Sequence, residues 1–147
     1  MSTPPTFGTQ IIGQTEKALN AILDRQLAGT GLTEPQWVTL TLAVVSGGSP
    51  DASALATRVA GALKVSDADA QARIEELAAA KLLEVRDFDL SAARVTHAGN
   101  ELHGRIRRAV TEITQRLWGD LPADDLAVAG RVLATVLERA DSELARA

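Results

Sequence analysis

Apolar side chains recur with helical spacing along most of the 147-residue chain. This spacing predicts six helices, which begin near residues 10, 33, 51, 66, 96 and 124. The stretch Thr33-Glu34-Pro35-Gln36 is a good start signal, because it offers a Thr cap, a Pro in the first turn and a Gln three residues after the cap. Glycine-containing turns at residues 29–31 and 46–48 are predicted to end the first two helices.

The period changes after the fourth helix. Two short strands are predicted around a polar connection over residues 86–94, with apolar positions at Leu83, Val85 and Val95. Two helices joined by a short turn and followed by a small hairpin form the order of a winged helix-turn-helix. The chain is therefore predicted to be mainly α-helical, with a winged helix-turn-helix head over residues 33–95 and a small wing of two or three strands.

The terminal helices carry long apolar stripes. Residues 10–28 and 96–145 hold more apolar surface than a small head would cover, so we expect two copies of the chain to associate through them. These segments are predicted to be dimerisation helices on either side of the head. The whole chain, residues 1–147, is then interpreted as a single domain, a length that one hydrophobic core suits.

Charge, cysteine content and hydropathy narrow the class of protein. The formal net charge is −4, and residues 33–95 alone sum to −3, so the predicted head is the most acidic part of the chain. The absence of cysteine excludes disulfide scaffolds and thiol catalysis. No apolar run approaches the roughly 20 residues that span a bilayer, and no secretory signal is visible, so we expect a cytoplasmic protein without a membrane partner.

Five stretches of the chain, taken in order, resemble the MarR family of bacterial regulators. The sequence L-T-E-P-Q-W at residues 32–37 resembles the opening of that family's second helix. T-H-A-G at residues 96–99, followed by Leu102, resembles the start of its long fifth helix. Residues 59–66 resemble the family's helix-turn, and residues 70–83 resemble its recognition helix together with the exit from that helix. Residues 121–126 resemble the start of its last helix.

The resemblance implies a homodimer with interleaved terminal helices, in which two winged heads insert recognition helices into successive major grooves. It also implies that a small, often phenolic, molecule binds between head and dimer region and releases the DNA. Lys81 departs from the family pattern, because the family usually has Gly there. The wing over residues 86–94 is shorter than usual and lacks the Asp-x-Arg pair whose Arg enters the minor groove, so Arg94 is the candidate substitute.

The predicted recognition helix offers several side chains to DNA. Its outward or flanking positions include Asp69, Gln71 and Arg73, of which Gln71 could pair with adenine and Arg73 with guanine. The Ser66 hydroxyl and the helix N-terminus are suited to a phosphate contact. Four cations of the head are further candidates for phosphate contacts: Arg58, Lys64, Arg86 and Arg94.

The same helix also allows a purely structural interpretation. Asp67 and Asp69 lie in its first turn, where acidic groups stabilise a helix by about 0.3–1 kcal/mol each. Arg73 would then pair with a glutamate and contact no DNA. The helix carries four carboxylates that repel a phosphate backbone unless several point away: Asp67, Asp69, Glu75 and Glu76.

The tryptophan and histidine residues are candidates for binding an effector or a metal ion. Trp37 and Trp118 could line a cleft for an apolar effector, although a Trp on an apolar helix face more often belongs to the core. His97 and His103 lie about 240° apart around a helix, so they cannot share a face as metal ligands, and each is expected to be a cap or a solvated side chain. No nucleotide-binding loop or catalytic triad can be assigned, so we expect no metal, no cofactor and no enzymatic activity.

Two functions remain open at the level of sequence. The first is a homodimeric DNA-binding transcriptional regulator that recognises a pseudo-palindromic operator and responds to a small apolar or aromatic effector. The second is the same dimeric scaffold kept as a ligand-binding or protein-interaction module that has lost DNA binding. The winged helix order and the apolar stripes of the terminal helices favour the first, which is our main interpretation, whereas the short wing and the acidic recognition helix support the second.

Overall fold

The computed structural model describes residues 5–85 and 92–146, which form six helices and one small sheet. The helices are α1 (Thr9–Leu27), α2 (Glu34–Val45), α3 (Ala52–Leu63), α4 (Asp67–Ala79), α5 (His97–Trp118) and α6 (Ala123–Ala145). The strands are β1 (Leu83–Glu84) and β2 (Arg94–Val95). Each predicted helix is present close to its predicted start, so the mainly α-helical fold class is confirmed.

Side-chain caps form at the starts of α2 and α4, and the cap at Thr33 is the one that the sequence predicts. The Thr33 hydroxyl accepts a hydrogen bond from the amide of Gln36 at 3.4 Å, and the Gln36 side-chain oxygen accepts one from the amide of Thr33 at 3.0 Å. The Ser66 hydroxyl accepts from the amide of Asp69 at 3.1 Å. These contacts satisfy N–H groups that a helix start leaves without intrahelical partners, so short local sequences place both helices.

The core of the head lies where α2, α3 and α4 pack together against the strands. Leu55 and Val59 of α3 are fully buried, as their i, i+4 spacing predicts. The largest fully buried apolar side chains come from each of these helices and from β1: Leu40, Leu55, Val59, Ile74, Leu77 and Leu83. Burial of one stripe on α4 leaves the opposite stripe of that helix at the surface.

The wing begins as a short antiparallel pair in which Leu83 lies opposite Val95. The second strand also contacts the segment that follows α2, because the amide of Val95 donates to the carbonyl of Gly48 at 2.8 Å. Val85, which the sequence assigns to a strand, lies just beyond β1. Residues 86–91 of the predicted connection lie outside the described residues.

Two lysines adopt the left-handed backbone conformation. Lys64 ends α3 with φ 58°, and Lys81 has φ 65° in the turn between α4 and β1. Lys81 occupies the position at which the resemblance leads us to expect Gly. The turn is therefore made without Gly, at a conformational cost of roughly 1–2 kcal/mol for an L-residue.

The start of α5 is locked to the end of the α4–β1 turn. The Thr96 hydroxyl accepts a hydrogen bond from the amide of Gly99 at 3.0 Å and lies 2.7 Å from the carbonyl oxygen of Lys81. A Cβ on Gly99 would collide with the carbonyl oxygen of Leu82 and would lie 3.0 Å from a methyl group of Val95. The T-x-x-G pattern at residues 96–99 therefore serves a close approach of the helix to the wing.

The chain divides into two compact units, Met1–Val110 and Thr111–Ala147. In the first unit α1 buries only Leu27, and in the second unit α6 buries no residue. The exposed large apolar side chains of α6 are Val128, Val132, Leu133, Val136, Leu137 and Leu144. None of the helices in residues 5–85 and 92–146 is long and apolar enough to cross a membrane.

Candidate nucleic-acid interface

The fourth helix presents two flanks and an outward face. Ala70, Ile74 and Leu77 are buried in the core of the head. Ala68 and Ala79 lie on the side of the helix opposite these residues and are exposed. Small side chains therefore occupy the middle of the outward face, and the longer polar side chains of α4 lie on its flanks.

Arg73 is held by a glutamate of its own helix. Its Nε lies 2.8 Å from Oε1 of Glu76 and its Nη2 lies 3.0 Å from Oε2, which makes the ion pair bidentate. Hydrogen bonds from Gln36 and from Arg73 lower the pKa of the Glu76 carboxyl below its ordinary value. The pairing of Arg73 with a glutamate, which the sequence offers as the structural alternative, is thus present in the protein.

Gln36 extends this pair to a second helix. Its side-chain nitrogen donates to Oε1 of Glu76 at 2.9 Å, while its side-chain oxygen accepts from the amide of Thr33. The capping box at the start of α2 and the ion pair on α4 are therefore one hydrogen-bonded chain. Sequence reasoning identifies the capping box but misses this link, because residues 36 and 76 meet only after α2 packs on α4.

The second candidate base-reading side chain is also paired within the helix. The Gln71 side-chain nitrogen donates to Oε1 of Glu75 at 3.2 Å. Gln71 and Arg73 are both half-buried, and the acidic residues of the first turn, Asp67 and Asp69, are exposed. The side chains that the sequence nominates for base recognition lie on the expected helix, each beside a carboxylate.

The candidate phosphate-binding cations also make contacts within the head. Arg58 donates to the hydroxyl of Ser46, and Lys64 donates to the carbonyl of Gly61 at 2.8 Å. Arg94 of β2 forms a 2.5 Å ion pair with Glu84, which lies opposite it on β1. The fourth candidate, Arg86, lies outside the described residues.

The helix-turn-helix carries a small excess of negative charge. Residues 52–79 contain three cations and four carboxylates. The carboxylates of Glu75 and Glu76 are hydrogen-bonded to neighbouring side chains, and both residues are exposed, as are the first-turn acids Asp67 and Asp69. A phosphate backbone would meet a mixed surface at this helix rather than a uniformly basic one.

Trp37 and His103 form a stacked pair between α2 and α5. Their ring centroids lie 4.9 Å apart with an interplanar angle of 18°. His103 is only 6% exposed, so the prediction that it is a cap or a solvated side chain is wrong. It lies on the buried stripe of α5 with Gly99 and Ile106, spaced four and three residues away, which is the periodicity of a packed helix face.

The burial of His103 affects both its hydrogen bonding and its pKa. Within the part of the chain that the structure describes, Nε2 of His103 has no hydrogen-bond partner, and neither does the hydroxyl of Thr41, one turn after Trp37 on α2. Burial is the main cause of a lowered pKa for His103, and the positive charge of Arg107 lowers it further. Burial beside the indole therefore disfavours the protonated form of the imidazole.

Trp118 and His97, the remaining aromatic and histidine candidates, are both exposed. Trp118 belongs to the second unit. His97 lies 3.1 Å from Glu101, within its own helix. Across residues 5–85 and 92–146 no group of histidine and carboxylate side chains could hold a metal ion.

Neither family models nor curated proteins gave a match to the chain. Among solved structures, the chain is similar to a MarR protein from Peptoclostridium difficile, with a TM-score of 0.74, 16% identity and coverage of 97% of both chains. It is also similar to CouR from Rhodococcus jostii RHA1 bound to p-coumaroyl-CoA, with a TM-score of 0.73, 17% identity, and coverage of 86% of this chain and 89% of the other.

The chain has the fold of the MarR family transcriptional regulators. A third similar structure is that of the organohalide-sensing transcriptional regulator RdhR in its 2,4-dichlorophenol-bound form, with a TM-score of 0.72 and 12% identity. That match covers 94% of this chain and 86% of the other. The resemblance noted in the sequence is therefore confirmed for the fold, including the winged head of the MarR proteins.

Proposed function

We propose that the protein is a MarR-family transcriptional regulator of the cytoplasm that binds double-stranded DNA as a homodimer and responds to a small apolar or aromatic effector. The observation that carries the proposal is the head: α3 and α4 form a helix-turn-helix followed by a two-stranded wing. Its solved structural neighbours are transcriptional regulators rather than enzymes, which supports a non-enzymatic role.

The DNA contacts are assigned to α4 and its surroundings. Gln71 and Arg73 would read base edges in the major groove, with Ser66 at the helix N-terminus against a phosphate and Asp69 flanking the contact. Further phosphates would be contacted by Arg58, Lys64, Arg86 and Arg94. Because Arg58, Lys64 and Arg94 are engaged within the head, their contacts with DNA must share or replace the present ones.

Dimerisation is assigned to the terminal helices. The apolar side chains of α6 are exposed along its length, and a second copy of the chain is the occupant that would cover them. A two-fold dimer would place two copies of α4 about 34 Å apart, one turn of the DNA helix, and would require a pseudo-palindromic operator.

The effector site is assigned to the neighbourhood of Trp37. The exposed part of the half-buried Trp37 indole offers a flat apolar surface, which suits an aromatic ligand. The imidazole stacked on it carries a buried nitrogen that a ligand hydroxyl could reach only if the stack opened. Two of the structural neighbours were solved with p-coumaroyl-CoA and with 2,4-dichlorophenol. Trp118 remains a second candidate for this site.

The direct test is a mobility-shift assay on fragments from around the protein's own gene, at low and moderate salt. We expect a retarded complex that weakens steeply with salt, because binding releases counterions from neutralised phosphates. Addition of 2,4-dichlorophenol as a probe is expected to release the DNA from the native protein but not from Trp37→Ala, with Trp118→Ala as the comparison. Failure to bind any fragment at low salt would reject the regulator.

A second candidate function rests on the charge of α4. The excess of carboxylates over residues 52–79 and the internal pairing of Arg73 favour a dimeric ligand-binding or protein-interaction module without DNA binding. Such a module would bind the phenolic probe in a calorimetric titration and retard no DNA. The two assays together separate the regulator from the module.

A further inference from the structure

We propose, resting on the proposed DNA binding, that Glu76 and Gln36 are positioning residues that aim Arg73 at a guanine. Arg73 is not merely neutralised by its partner. One edge of its guanidinium group is hydrogen-bonded to the carboxylate of Glu76, and that carboxylate is in turn hydrogen-bonded to Gln36 of α2.

The geometry of the ion pair leaves a second edge for DNA. Glu76 engages Nε and one N–H of Nη2, which form the side edge of the planar guanidinium. The end edge, made by Nη1 and the other N–H of Nη2, is directed away from the carboxylate. That end edge matches the O6 and N7 acceptors of guanine, which lie side by side in the major groove.

The hydrogen bond from Gln36 of α2 restricts the movement of the Glu76 side chain, so that Glu76 can hold Arg73 in position. Gln36 donates to Oε1 of Glu76 and also closes the capping box with Thr33, so both polar atoms of its side-chain amide are engaged. An arginine whose torsions are already restrained loses less conformational freedom when it contacts a base. The chain from Thr33 through Gln36 and Glu76 therefore presents Arg73 in one orientation.

The surroundings of Arg73 allow a close approach to the groove. Ala68 and Ala79 occupy exposed positions along the outward side of α4, and Ala72 is half-buried between them. No bulky side chain of this stripe would hold the helix away from the base edges. By contrast, the Gln71–Glu75 hydrogen bond joins two residues of α4 alone, which makes Glu75 a charge-matched control for Glu76.

The experiment is selection of binding sites from a random duplex library with the full-length protein, followed by measured affinities for each base at the selected positions. The native protein is expected to prefer guanine at one position of each half-site by roughly 10-fold or more. Arg73→Ala should remove that preference and so identify the position that Arg73 reads. Glu76→Gln should reduce the preference there about 3- to 10-fold and leave the other positions unchanged.

Glu75→Gln removes the same charge from the neighbouring residue, so it should raise affinity for all duplexes without changing the guanine preference. Gln36→Leu should reproduce part of the Glu76→Gln effect, and circular dichroism melts of all variants should show that the fold is retained.

Three results would overturn the inference. An unchanged or sharper guanine preference in Glu76→Gln would mean that Glu76 competes with DNA for Arg73 instead of aiming it. A selected site whose base preferences all survive Arg73→Ala would leave the regulator standing and remove Arg73 from base recognition. Failure of the native protein to enrich any site would reject the proposed function, and this inference with it.

Discussion

The imidazole of His103 stacks on the indole of Trp37 with ring centroids 4.9 Å apart and carries a buried Nε2 without a hydrogen-bond partner in the described part of the chain. A buried unsatisfied nitrogen disfavours the native state by about 1–3 kcal/mol relative to a satisfied one. The stack therefore joins α2 to α5 and encloses this polar atom between them. The consequences for the stability of the protein can be measured directly.

Stability is expected to fall on the acid side because of His103. Burial, and then Arg107, lowers its pKa in the folded state below the ordinary value of 6.5. Below that pH the unfolded chain binds a proton at His103 that the folded chain does not, so the free energy of unfolding falls as the pH is lowered. The slope is at most about 1.4 kcal/mol per pH unit.

Denaturant unfolding at pH 7.5 and 5.5 checks this prediction. The native protein should lose more stability between these two pH values than His103→Phe, which keeps an aromatic ring against Trp37. His97→Gln should behave like the native protein, because His97 is exposed. An equal loss in the native protein and in His103→Phe would contradict the prediction.

Replacing Lys81 by glycine is expected to increase the stability of the protein. Lys81 has φ 65°, where a side chain is unfavourable and glycine is not. Lys81→Gly should raise the free energy of unfolding by about 0.5–1 kcal/mol after the greater flexibility of glycine in the unfolded chain is counted. Lys81→Ala keeps the Cβ and should stay within about 0.5 kcal/mol of the native protein. Chemical denaturation that finds Lys81→Gly no more stable than Lys81→Ala would be inconsistent with a strained turn.

Two glycines of α5 are expected to respond in opposite directions to the same change. A methyl group at Gly99 would collide with the carbonyl oxygen of Leu82, so Gly99→Ala should destabilise the protein by about 1–3 kcal/mol. At Gly104 the nearest atom to a new methyl is the end of the Arg108 side chain, at 3.6 Å. Gly104→Ala should therefore stabilise the helix by about 0.5–1 kcal/mol. Melting temperatures that shift in the same direction would refute this assignment.

The exposed stripe of α6 is expected to be the surface on which two copies meet. A buried carboxylate without a partner is strongly unfavourable, so Leu133→Asp should convert the dimer to a monomer, as measured by light scattering after size exclusion. Ser142→Asp adds the same charge about half a turn around the helix and should leave the dimer intact. A native protein that elutes as a monomer, or a Leu133→Asp variant that remains dimeric, would exclude this surface.

Much of the fold can be predicted from short stretches of the sequence. The capping box at Thr33, the Ser66 cap and the i, i+4 spacing of Leu55 and Val59 each rest on contacts within one helix or on the periodicity of one helix. Such features can be recognised in a single sequence because the contacts that produce them join residues only three or four positions apart. The pairing of Arg73 with a glutamate of its own helix belongs to the same class, as an i, i+3 contact.

The sequence by itself determined where the helices start, which of their faces are apolar and which helix carries the candidate base-reading side chains. Only the tertiary structure decided that Gln36 holds Glu76, that His103 lies against Trp37, and that Gly99 makes room for the carbonyl of Leu82. These three contacts join residues far apart along the chain. Which distant side chains meet depends on how helices of fixed periodicity pack together, and no short stretch of sequence specifies that packing.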